Sequence, residues 1–157
     1  MANHTDIHPT HVTHATERSL WGPGVRAGVV AAVVMALFAM VVAALHGPGF
    51  FAPMKLVSGV VFGQQALTMG APAVAIGIVI HLAVGSVFGV LFANTVPHAS
   101  SFLSRAGIGL IYGAAVFLVM TFLVLPWADS VMAQHISRGW FFFYHMVFGF
   151  ILGWIVR

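Results

Sequence analysis

Of 157 residues, 61% are hydrophobic and 6% charged, against about 25% charged in a soluble domain, which excludes a water-soluble globular protein and assigns an integral membrane one. Six Lys and Arg against three Asp and Glu give a formal charge of +3; the basic balance reflects a scarcity of acids, and nucleic-acid binding is not supported. The absence of cysteine excludes disulfides, iron–sulfur clusters and thiol catalysis, and leaves the redox compartment undetermined.

Residues 1–20 form a polar tail with His4, His8, His11 and His14 among Thr, Asn and Pro. The four histidines are a candidate site for a soft divalent ion such as Cu(II), Ni(II) or Zn(II). The alternative is a solvated tail, because the spacing has no fixed scaffold behind it. Residues 21–157 form the transmembrane domain. The apolar run at 25–45 is long enough to span and lacks a small-residue cleavage site followed by polar sequence, so it reads as a first span rather than a signal peptide. Gly-Pro-Gly brackets it at both ends, and Gly28, Ala32 and Ala36 repeat along one face suited to close helix contact. Arg26 at its entry can snorkel to the headgroups.

The stretch 53–67 is apolar but too short to cross. Leu56, Val57, Val60, Val61 and Leu67 lie mostly on one face and Lys55, Ser58 and Gln65 on another, so a helix in the interface plane, or a re-entrant one, is expected. A second span follows at 73–94 with Gly77, His81, Gly85 and Gly89 at four-residue spacing, then a polar turn and a third span at 106–125 that should stop at Pro126. A loop with Trp127, Asp129, His135 and Arg138 leads to a fourth span at 140–156, in which His145, Gly149 and Gly153 repeat the spacing and Phe141 and Phe143 are expected to face lipid.

The two His-x3-Gly-x3-Gly stretches, His81 to Gly89 and His145 to Gly153, suggest duplication, and Arg26-Ala-Gly28 and Arg105-Ala-Gly107 open the helices before them. The expected fold is therefore an all-α four-helix membrane bundle of two duplicated helical hairpins, with the short interfacial helix inserted in the first. An even number of spans per half makes parallel repeats and puts the two histidines at similar depth. Arg18, Arg26, Arg105 and Arg157 share one side against Lys55 and Arg138, which places both termini in the cytoplasm.

The opening Ala/Gly-rich helix, the insert Gly49-Phe50-Phe51-Ala52-Pro53 and the helix beginning His81-Leu-Ala-Val-Gly85 give the chain a pattern that resembles a group of small bacterial four-span inner-membrane proteins without an assigned activity. The resemblance covers most of residues 24–157 and leaves the His-rich tail outside it. It implies a fold and a bacterial inner-membrane location, and no reaction.

No nucleophile, base and orienting group stand together in the pattern, and the only acids, Asp6, Glu17 and Asp129, lie outside the spans, so an enzyme and an ion-coupled carrier with buried carboxylates are both disfavoured. Tyr112, Ser86, Tyr144 and Thr121 are read as local hydrogen-bonding groups. Two functions remain. One is a non-enzymatic accessory subunit of a larger energy-converting complex, respiratory or photosynthetic, with lipid and other membrane subunits as its partners. The other is an electron-transfer protein in which His81 and His145 ligate a b-type haem or a chlorin, with Gly85, Gly89, Gly149 and Gly153 as close-approach positions. A small channel or carrier is a further alternative.

Overall fold

The computed structural model describes residues 21–95 and 101–156, and among them every regular element is helical. In chain order these are α1 (Trp21–His46), α2 (Ala52–Val57), α3 (Gly59–Phe62), a 3-10 turn (Gly63–Leu67), α4 (Ala71–Thr95), α5 (Phe102–Val119), a π turn (Met120–Val124), α6 (Leu125–Ala128), α7 (Ser130–His135) and α8 (Arg138–Ile155). The tail that carries His4, His8, His11 and His14 lies outside the described residues. Three helical stretches, Trp21–His46, Ala71–Thr95 and Phe102–Ala128, are long and apolar enough to cross a membrane. Their outer faces present Val30, Leu37, Val41, Val79, Val87 and Ile111, a surface matched to hydrocarbon rather than water.

Glycine decides which helices pair. A Cβ added at Gly28 would strike the Gly85 carbonyl, and one at Gly89 would strike the backbone of Gly24 and Gly28, so α1 and α4 meet backbone to backbone. The same construction between α5 and α8 sets Gly109 against Gly149 and Gly153, and Gly113 against His145 and Gly149. Lipid gives little hydrophobic drive to helix association, so stability here depends on the dispersion contacts that such close approach permits. α1 also packs on α8 and so joins the two pairs. Phe38 meets Phe143 and Tyr144 with ring centroids 5.4 and 6.0 Å apart. Tyr112 ties α5 to α4, its hydroxyl donating to the Phe88 carbonyl at 2.7 Å and its ring set edge-on to Phe92 at 5.0 Å.

Pro126 does not end the third long helix, which runs on to Ala128. The turn before the proline widens, and the Leu125 N–H reaches back to Met120 rather than to Thr121. A proline ring crowds the preceding helical turn and offers no N–H, and the wider turn gives it room. Phe141, expected to face lipid, is instead buried at 2% exposure.

The insert also differs from expectation. It is not one helix over 53–67 but α2, α3 and the 3-10 turn, with Gly63 at a positive φ of 55° where α3 gives way to that turn. Ser58 is fully buried and its hydroxyl donates to the Lys55 carbonyl at 2.8 Å, so this side of the insert folds inward rather than resting among headgroups. The Met54 backbone lies on Gly77 of α4. Opposite it, the expected loop after the third span contains α7, whose N-terminus is capped by Asp129: Oδ1 accepts from the Met132 N–H at 2.9 Å. Gly59 of α3 leaves room for that carboxylate. Together α2, α3 and α7 close the end of the bundle remote from Trp21.

Candidate functional site

A cavity of about 230 Å³ lies within this frame, walled by α1, α4, α5 with its π turn and α8, and bounded at one end by α2 and α7. An engineered apolar cavity of roughly 150 Å³ accommodates benzene, and sites for drug-sized molecules run from roughly 300 to 1,000 Å³, so the space suits a small occupant. The lining is apolar except where His81, His145, Tyr144 and Asp129 reach it.

His81 stands one turn before Gly85, so the close packing of α4 on α1 brings its ring to the partner helix. Its Nε2 lies 3.0 Å from the Ala32 carbonyl oxygen. A carbonyl only accepts, so Nε2 carries the proton and Nδ1 keeps its lone pair. His145, 4% exposed, sits one turn before Gly149 on α8, and its Nδ1 lies 2.8 Å from the Phe141 carbonyl oxygen. By the same argument Nδ1 is the donor and Nε2 keeps the lone pair. The Phe141 ring meets this imidazole edge-on at 4.4 Å and Phe117 does so at 6.0 Å, which holds the ring orientation. Both imidazoles line the same cavity. Among the described residues neither lone-pair nitrogen has a hydrogen-bond partner.

The local bond of His145 is ordinary for this chain. His46 and His135 also bond the carbonyl four residues earlier, at 2.9 and 2.8 Å. His81 alone among the described histidines reaches a different helix. Of the remaining polar groups singled out in the spans, Ser86 donates to the Leu82 carbonyl at 2.7 Å, Tyr112 bonds across helices as described, and Tyr144 borders the cavity. Thr121 Oγ1 is buried without a partner among the described residues.

The four glycines marked as close-approach positions face helix backbones: Gly85 and Gly89 meet α1, and Gly149 and Gly153 meet α5. Only Gly85 also borders the cavity. A haem held between the two histidines does not fit this arrangement. His81 offers Nδ1, next to its own Cβ, where an axial ligand to a macrocycle presents the unhindered Nε2, and the glycine faces beside both histidines are filled by neighbouring helices. No group of three or more His, Asp or Glu converges among the described residues either.

Two buried polar groups near the site were not legible in the sequence, and of these only Asp129 borders the cavity. Asp129 read as a loop acid and Ser58 as an interfacial hydroxyl, yet both are buried at the closed end. Burial raises the Asp129 pKa above the usual carboxylate value, and the Met132 and Val131 N–H groups act against that rise. The sequence signal for Asp129 is its place ahead of Ser130-Val-Met132, the spacing of an Asp N-cap. No protein-family model, curated protein or solved structure matches the chain.

Proposed function

We propose that the chain is a four-span, non-enzymatic subunit of a larger bacterial inner-membrane assembly, and that it holds a small ligand inside the bilayer at His81 and His145. The observation that carries this reading is the cavity of about 230 Å³ with two imidazoles on its wall, each committed as a donor through one nitrogen and uncommitted at the other. Membership of an assembly is supported by how little regular structure in the described residues lies outside the long helices, namely the short α2, α3 and α7 and the 3-10 turn.

The four-span, duplicated architecture rests on α8 and on the register of the glycine contacts. Gly28 meets Gly85 and Gly89 as Gly109 meets Gly149 and Gly153, which pairs His81 with His145 and Ala32 with Gly113 in equivalent places. Sidedness follows from Arg26 and Arg105 at one end against Lys55 and Arg138 at the other, with both termini cytoplasmic.

Purification from the native membrane in mild detergent, with identification of co-purifying chains and of any retained ion or small molecule, tests the proposal. Other subunits and a retained ligand are expected, and Ala36→Leu, which fills the cavity from α1, should release the ligand without unfolding the chain. A monodisperse single-chain particle that retains nothing in the wild type and behaves identically in Ala36→Leu would overturn it.

A further inference from the structure

The two free imidazole nitrogens share the cavity with sulfur. Met35 of α1, Met54 of α2, Met120 of the π turn and Met132 of α7 all line it. Three of these sit about one helical turn from the histidine layer, toward the closed end. Met35 is one turn past Ala32, the His81 acceptor. The Met54 backbone lies on Gly77, one turn before His81, and the residue lines the cavity. Met120 is three residues past Phe117, which touches the His145 ring.

We propose that this cavity binds one monovalent soft metal ion, Cu(I), through His81 Nδ1, His145 Nε2 and thioethers of the lining methionines; the inference rests on the ligand-holding reading above and names its ligand. Each donor argues for that ion. A histidine that ligates a metal commonly donates its other ring N–H to a carbonyl, which fixes tautomer and orientation, and both histidines are held in this way. Thioethers are soft, neutral donors that suit Cu(I), whereas Mg(II) and Ca(II) require oxygen ligands. The one carboxylate at the wall, Asp129, already accepts from the Met132 N–H. Charge points the same way. A divalent ion among neutral donors in an apolar space would leave two uncompensated charges where Cu(I) leaves one, and burying uncompensated charge is costly.

The test uses the full chain in detergent and a second full-length chain with His4→Gln, His8→Gln, His11→Gln and His14→Gln, so that the tail cannot supply the binding. Cu(I) is delivered under reductant against a chromophoric chelator, and the ligand shell is read by copper X-ray absorption. One ion per chain is expected in both proteins, with a mixed nitrogen and sulfur shell. His145→Gln should weaken binding by at least the roughly 10–100-fold that loss of an outer-shell partner costs. His81→Leu also removes the bond to Ala32 and can disturb folding, so Met35→Leu and Met54→Leu serve as the near-isosteric variants. Each should lower Cu(I) affinity and the sulfur signal while the unfolding temperature stays close to wild type. Binding that is lost with the tail histidines, or a nitrogen-only shell unmoved by the methionine variants, overturns the inference. If Cu(I) does not bind but a short-chain quinol is retained in a His145-dependent way, the ion is wrong and the ligand-holding reading stands. If neither is held, both fall.

Discussion

His81 Nε2 lies 3.0 Å from the backbone oxygen of Ala32, a bond between residues 49 apart in sequence on two different helices. That oxygen sits among the small residues along which α1 meets α4, so the bond forms only when the Gly24, Gly28, Gly85 and Gly89 contacts are made. It therefore reports the register of the pair. His81→Leu should destabilise the folded chain by about 0.6 to 2 kcal/mol, the range of interhelical hydrogen bonds in membranes. Phe143→Leu, at a ring that is 47% exposed, should cost less. Thermal unfolding in detergent decides between them, and equal costs would mean that the imidazole bond contributes nothing.

The glycine contacts make a second comparison possible. Gly28 and Gly109 each face backbone of the partner helix, whereas a Cβ at Gly107 would meet nothing within 4 Å. Gly28→Val and Gly109→Val should each cost at least the roughly 1–3 kcal/mol of an overpacked core, and by similar amounts. Gly107→Val should be close to neutral. The pattern fails if Gly107→Val is as damaging as the other two.

Residue spacing marked the helix faces that pack closely, because four-residue glycine repeats let a neighbouring backbone approach. Arg26-Ala-Gly28 and Arg105-Ala-Gly107 match as letters, but Gly28 faces a partner-helix backbone and Gly107 does not; on α5 that place is taken by Gly109, two residues further on. Helix contacts follow which face is turned inward, and a three-letter match does not carry that. The short segments were the least legible. α2, α3 and α7 are four to six residues long, too short to be stable alone, so their form and the burial of Ser58 and Asp129 come from tertiary packing. The histidines stood out in the sequence by their shared spacing, but their acceptors depend on ring orientation: His81 bonds Ala32 of another helix and His145 bonds Phe141 of its own.

Asp129 gives a pH dependence whose sign can be worked out. Burial holds its carboxyl above the usual value, so between the unfolded and folded pKa values the folded chain keeps a proton that the unfolded chain has released. Stability contributed by this group is thus fully present below the unfolded pKa and is lost as pH rises through the folded one. Asp129→Asn keeps an acceptor for the Met132 N–H and removes the titration. Unfolding temperatures of the two proteins from about pH 4 to about pH 7 should show a wild-type decline relative to the variant. Parallel profiles would remove the assignment.

Whether α8 crosses the bilayer decides between three spans and four. It has 18 residues, about 27 Å at the helical rise against a hydrocarbon core of about 30 Å. Arg138 at one end can snorkel, and Trp140 and Trp154 stand near the two ends as interfacial residues do. The packing gives the stronger reason. Gly153 near the end of α8 faces the Arg105 backbone near the start of α5. If the Phe102–Ala128 stretch crosses the membrane, the end of α8 therefore reaches the face where Ser101 lies. With no native cysteine, single substitutions can be read one at a time with a membrane-impermeant thiol reagent. Gly22→Cys, Ser101→Cys and Ile155→Cys should share one side, and Gly70→Cys and Gly139→Cys the other. Ile155→Cys is the deciding position: labelling from the side of Gly139→Cys would put α8 in the plane of the membrane, leave three spans, and undo the pairing of His81 with His145 at a common depth.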